Sequence, residues 1–294
     1  MQAKPFRPLQ LGEINIDRCV EHEGDFFPPA KFFPLSSPDM IDAERDWMEP
    51  HFILPKSAGG RMQAGIFAYV IRTGRHVILV DTCVGNDKPR QFSPLWNMKQ
   101  TAWLADLAAI GVAPEQVDFV MCTHLHVDHV GWNTRLENGR WVPTFPNARY
   151  IFNKTEYDHW QQEQEFIGLD GCFADSVLPV VEAGKADMVK SDFAIDDFMW
   201  LEPSPGHTPG HICINLKSGG NTALLTGDAF HHPLQVAYPE WSSAFCTDKA
   251  QSAATRRKIV DRLCDTDTYM LGAHFAAPTA GRVRRKGARW KLEV

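Results

Sequence analysis

Nine consecutive residues, Thr123-His124-Leu125-His126-Val127-Asp128-His129-Val130-Gly131, carry three imidazoles and a carboxylate. They follow the apolar run 117–122 directly, so a buried strand is expected to end there and a loop to begin. In extended backbone, residues two apart point the same way, which lets His124 and His126 share one metal ion. Once the chain turns, Asp128 and His129 can face a second ion close by. Imidazole and carboxylate donors suit borderline cations: zinc, and also manganese, iron or cobalt. A single histidine here would read as a solvated loop residue. The H-x-H-x-D-H cluster after a buried strand reads as a ligand set.

Further ligands are then expected downstream. Pro205-Gly206-His207-Thr208-Pro209-Gly210-His211 offers His207 in a Gly/Pro-rich turn before the apolar run 212–216. Gly227-Asp228 closes the run 222–226, and Gly272-Ala273-His274 closes the run 268–271. Each places a ligand-capable side chain beside apolar residues, where rigid elements preorganise a site.

The rest of the chain reads as strands and helices mixed in one domain, 1–294, with an irregular N-terminal extension of about 1–60. Buried strands are expected at 66–71, 77–80, 117–122, 199–201, 212–216, 223–225 and 269–271. Helical spacing at 99–110 places Leu104, Leu107 and Ala108 on one face. At 249–264 it groups Ala253, Ile259, Val260 and Leu263, with Arg256, Arg257 and Lys258 facing elsewhere. The tail predicts a hairpin around Lys286-Gly287, with Arg282, Arg284, Arg285 and Lys286 on a solvated face. Residues 24–60, rich in Phe and Pro, predict neither strand nor helix. Within them Phe26, Phe27, Phe32 and Phe33 suit core filling, a contact in a homodimer, or a lid over the site.

A net charge of -6 supplies no basic excess for nucleic acid or an anionic membrane. No apolar run approaches the ~20 residues of a membrane span, and the first residues hold no apolar secretory core. Seven widely spaced cysteines without a C-x-x-C pair suit reduced thiols, hence a cytoplasmic protein. Cys83 and Cys122 read as small buried hydrophobes. His211 reads as a packing or surface residue, and His231, three residues after Asp228, as a residue of the pocket or of the core.

The motif series resembles the metallo-β-lactamase superfamily over about residues 65–274. That resemblance implies a four-layer αββα sandwich, an α/β fold with metals at one edge of its sheets. It implies that His124, His126 and His207 bind a first ion, that Asp128, His129 and His274 bind a second, and that Asp228 bridges them. Asp81 matches the family's aspartate that orients ligand histidines. Zinc β-lactamases commonly carry cysteine where this chain has Asp228, which turns the expectation away from antibiotics. The pattern is similar to the quorum-quenching N-acyl-homoserine lactonases, and through His231 and Gln235 to methyl parathion hydrolase.

The expected enzyme is therefore a binuclear hydrolase of a small lactone or carboxylic ester. Two divalent ions carry more positive charge than Asp128 and Asp228 return, which favours ionising a bridging water toward a pKa of about 7. The hydroxide attacks the carbonyl, and Asp128, with His231 as a second choice, carries the proton to the leaving group. Phe32, Phe33 and His231 are expected to line the pocket. The rival readings are phosphotriester or aryl-ester hydrolysis, sulfur oxidation on a single iron, and a non-enzymatic metal-binding module.

Overall fold

The computed structural model describes residues 4–163 and 171–294; positions 1–3 of the predicted extension lie outside them. The chain divides into two compact units, one of residues 13–21 and 66–193, the other of residues 1–12, 22–65 and 194–294.

The first unit is built on a mixed sheet. Gln63–Arg72 pairs antiparallel with Val77–Val80, which is followed by the parallel strands Phe119–Met121, Arg149–Asn153 and Ala186–Val189. Parallel strands are covered on both faces and so read as continuous apolar runs, as Val77–Val80 does. Its core gathers Val70, Leu79, Trp103, Val120, Tyr150 and Phe152. The predicted helix at 99–110 is the shorter Trp103–Ala109, which buries Trp103 and Leu107 and leaves Ala108 exposed.

The second unit holds a seven-stranded sheet ordered Ala194–Asp196, Met199–Pro203, Ile212–Ser218, Asn221–Leu225, Tyr269–Leu271, Ala280–Lys286 and Arg289–Glu293. Asn221–Leu225 and Tyr269–Leu271 run parallel, so both deliver their C-terminal ends to the same sheet edge. The terminal hairpin forms as expected, with Lys286 opposite Arg289 and Gly287 at φ 58°. Its basic face is not simply solvated, because Lys286 Nζ reaches Asp46 at 2.6 Å and Glu44 at 3.0 Å.

Three expectations are corrected. Ile14–Asp25 is a twelve-residue strand inside the supposedly irregular extension. Its inward Ile14 and Ile16 alternate with polar residues, a period-2 signal with no apolar run to advertise it. Residues 24–60 contain the short helices Pro29–Phe32, Pro38–Asp42 and Arg45–Met48. Two of them start on the prolines that argued against regular structure, since a first-turn proline forfeits no helical hydrogen bond. Ser37 caps the second by accepting from the Met40 N–H. Finally, Arg256 on Lys249–Leu263 is wholly buried. It donates to Pro239 O at 2.7 Å and to Ser242 Oγ and Ser252 Oγ at 2.6 Å, which is what makes a buried guanidinium tolerable. No helix among the described residues is long and apolar enough to cross a membrane.

Candidate functional site

In the first unit the strand Phe119–Met121 ends where the histidine cluster begins, and one helical turn, Val127–Val130, follows. His124 and His129 are buried, while His126 and Asp128 are partly open. The His124 ring lies 4.5 Å from that of His126 and 4.0 Å from that of His129. Ligand atoms of His124 and His126 come within 4.8 Å of each other, as do those of Asp128 and His129. Asp128 Oδ1 stands 3.7 Å from His129 Nε2. That edge faces inward because the other nitrogen is taken: His129 Nδ1 donates to Asp81 Oδ2 at 2.9 Å.

Asp81 also accepts from the Thr123 N–H at 2.8 Å, and Thr123 Oγ1 meets His124 Nδ1 at 3.1 Å. Asp81 sits in the left-handed region at φ 61°, a conformation that costs energy for a non-glycine residue and that packing must hold. Gly131 closes the loop with its N–H on Cys83 O at 2.8 Å. A Cβ there would stand 1.9 Å from Val84 O, so glycine alone permits this approach. Glu156 was not anticipated. Its Oε1 accepts from the Leu125 N–H, between the two histidines, at 3.2 Å and from Trp160 Nε1 at 2.6 Å.

In the second unit Asp228 lies within a helical turn, Gly227–Ala229, just past Asn221–Leu225. Three imidazoles converge on its buried carboxylate. His207 Nε2 lies 3.3 Å and His231 Nε2 3.2 Å from Oδ2, and His274 Nε2 lies 3.1 Å from Oδ1. His274 Nδ1 donates to Gly65 O at 2.8 Å. His211 does pack, and more: its Nε2 accepts the Asp228 N–H at 2.9 Å while Nδ1 meets Ser204 Oγ at 2.8 Å. Gly206, at φ 126°, lets the turn before His207 press against Ser252, whose N would lie 2.2 Å from a Cβ.

Burial pushes the His207 imidazole down, but hydrogen bonds to Asp228 and Cys246 outweigh it and raise the pKa to about 9. Burial likewise pushes the Cys246 thiol up, yet its contact with His207 and the charge there bring it down to about 5. Burial holds His231 below the ordinary histidine range despite Asp228 beside it. Cys246 carried no sequence signal, being a lone thiol 39 residues from His207.

The aromatic segment splits in two. The Phe32 ring packs on His231 at 5.1 Å and on Phe26, Phe27 and Phe245 at 4.6, 5.6 and 5.6 Å. Phe33, expected beside it in the pocket, is fully buried with its ring 6.1 Å from that of Trp241. Phe32 ends the helical turn and Phe33 follows it in extended backbone, so the two rings project differently and, of this pair, Phe32 is the one that packs on His231. Gln235, read with His231 as a subfamily mark, is also buried. It accepts the His231 N–H at 2.7 Å and donates to Trp241 O at 2.7 Å, bracing the backbone.

Buried strands that end in histidine- and aspartate-bearing loops, on a mixed α/β scaffold, define the class of metal-dependent hydrolases. Residues 63–274 match the model of the metallo-beta-lactamase superfamily, and the chain belongs to it. An N-acyl homoserine lactonase of Bacillus cereus is 25% identical over 216 residues, covering 69% of this chain and 78% of that one. The hydrolase AbOPH of the beta-lactamase superfamily superposes with a TM-score of 0.78 at 22% identity, over 100% of this chain and 99% of its own. AidC, a dizinc quorum-quenching lactonase solved with a product, gives 0.77 at 19% identity over 98% and 96%. At these identities the structural likenesses establish the fold.

Proposed function

We propose that this chain hydrolyses a small lactone or carboxylic ester at a centre of two divalent ions. His124, His126 and His207 hold the first ion, Asp128, His129 and His274 the second, and Asp228 bridges. The observation that carries the reading is the Asp228 carboxylate, with three imidazole Nε2 atoms 3.1–3.3 Å away. Buried carboxylate and imidazole are a donor set fitted to zinc, and AidC is itself a dizinc enzyme. The matched region 63–274 draws on both compact units, which supports one catalytic domain. All seven cysteines are free, in keeping with a reducing cytoplasm.

Bound divalent ions supply Lewis acidity and the nucleophilic water of hydrolysis. The chain supplies the rest. Asp81, His211 and Glu156 hold ligand rings and backbone in place. Asp128, the most open of the acidic ligands at 16% side-chain exposure, carries the proton to the leaving oxygen. The contact of His231 with Asp228 supports the same task for it as a second choice. Phe32, backed by Phe26 and Phe245, forms the apolar wall for an acyl group. The phosphotriester reading keeps His231 in its favour but loses Gln235, whose amide is committed to the backbone.

The test is a metal-replete panel of lactones, aryl esters, phosphotriesters, thioesters and β-lactams, with elemental analysis of the same protein. Lactones or simple esters should be turned over fastest, with close to two first-row metals per chain. Full activity at one metal per chain, or a phosphotriester preferred over every ester, would refute the assignment.

A further inference from the structure

We propose that Cys246 is a positioning residue for His207, its sulfur accepting the hydrogen bond that orients the ring toward the first ion. This rests on the reading of His207 as a ligand. Three other ligand histidines have identified partners at Nδ1, all oxygens: Asp81 for His129 at 2.9 Å, Thr123 Oγ1 for His124 at 3.1 Å, and Gly65 O for His274 at 2.8 Å. His207 departs from them. Its Nδ1 faces Cys246 Sγ at 3.6 Å, a distance suited to the larger sulfur acceptor. With Nδ1 so engaged, Nε2 is the nitrogen turned to Asp228, at 3.3 Å. Partners of this kind fix the tautomer of a ligand histidine and raise its donor strength.

The sulfur stands on a rigid mount. It is buried, with Ser243 Oγ and Ser252 Oγ each 3.4 Å away, and Ser252 Oγ accepts from Arg256 Nη1 at 2.6 Å. The backbone after it is tied to the turn that carries His207: the Thr247 N–H donates to His207 O and the Asp248 N–H to Gly206 O, both at 2.9 Å. A thiol present only to fill space would need none of these ties.

Zinc-loaded protein is titrated with a chromophoric chelator that competes for each ion. Wild type should release two ions in sequence, which tests the metal centre itself. Cys246→Ala should lose one ion at roughly 10–100-fold lower chelator, the range for removing such a partner. Cys246→Ser, with a shorter acceptor, should fall between. Cys213→Ala, which deletes another buried thiol of the same unit, should keep both affinities. A wild type that binds no zinc overturns the centre and this role with it. Wild-type affinities in Cys246→Ala, whatever its thermal stability, overturn the role of Cys246 alone. Should that variant not fold, wild-type affinities in Cys246→Ser overturn it as well.

Discussion

Protonating His232 would break a hydrogen bond in the second unit. Its Nδ1 accepts from the Leu234 N–H at 3.2 Å and its Nε2 donates to Phe52 O at 2.9 Å, an arrangement open only to the neutral ring. Burial drives its pKa from 6.5 to about 4, although the Phe52 carbonyl pulls the other way. Between those values the unfolded chain binds a proton that the folded chain refuses. The stability due to His232 is therefore complete above pH 6.5 and is lost as the pH falls toward 4. Thermal unfolding of wild type and His232→Gln from pH 7 to 4 should show wild type ahead at pH 7 and the gap closing on the acid side. A constant gap would disprove the neutral-ring account. Nothing in the sequence around His232 points to this role, because its partner Phe52 lies 180 residues away.

Among the elements, the helix Lys154–Gln162 helps to hold the histidine loop of the first unit. Glu156 and Trp160 lie one turn apart on it, so one carboxylate oxygen serves both the indole and the Leu125 N–H. The Trp160 ring then rests 5.3 Å from the His126 ring. Glu156→Ala leaves two buried donors without this acceptor, each costing about 1–3 kcal/mol. Denaturant unfolding of the metal-free protein should show a loss of that order, and Glu156→Gln, which keeps an acceptor, should recover most of it. A loss under about 0.5 kcal/mol, the range of an ordinary surface substitution, would remove Glu156 from this role. The helix itself was overlooked in the sequence because polar residues dominate it and only Trp160 and Glu156 are buried.

For the whole molecule, the proposed ligand set links stability to metal binding. Any ion bound only by the folded state stabilises it by mass action, about 2.7 kcal/mol at a free concentration 100 times Kd. Chelation should therefore lower the unfolding temperature. Hydrogen exchange should quicken at 121–131 and also at 204–229 and 272–275, the segments that carry the proposed ligands. Faster exchange confined to one of these groups would argue against shared ions.

The candidate site was legible in the sequence to the extent that its chemistry is local. H-x-H-x-D-H follows an apolar strand within a few residues, and His207, Asp228 and His274 each sit beside such a strand. Strand ends position side chains whatever surrounds them. The parallel core strands were legible for the same reason, as runs that need burial on both faces. Packing alone assigned the partners. That Cys246 meets His207, that Glu156 meets Leu125, and that Phe32 rather than Phe33 touches His231 depend on contacts between residues distant in the chain or on a single turn of helix. Such contacts leave no periodicity or spacing in a sequence, because they are selected by the shape of the folded interior and not by the neighbouring residues.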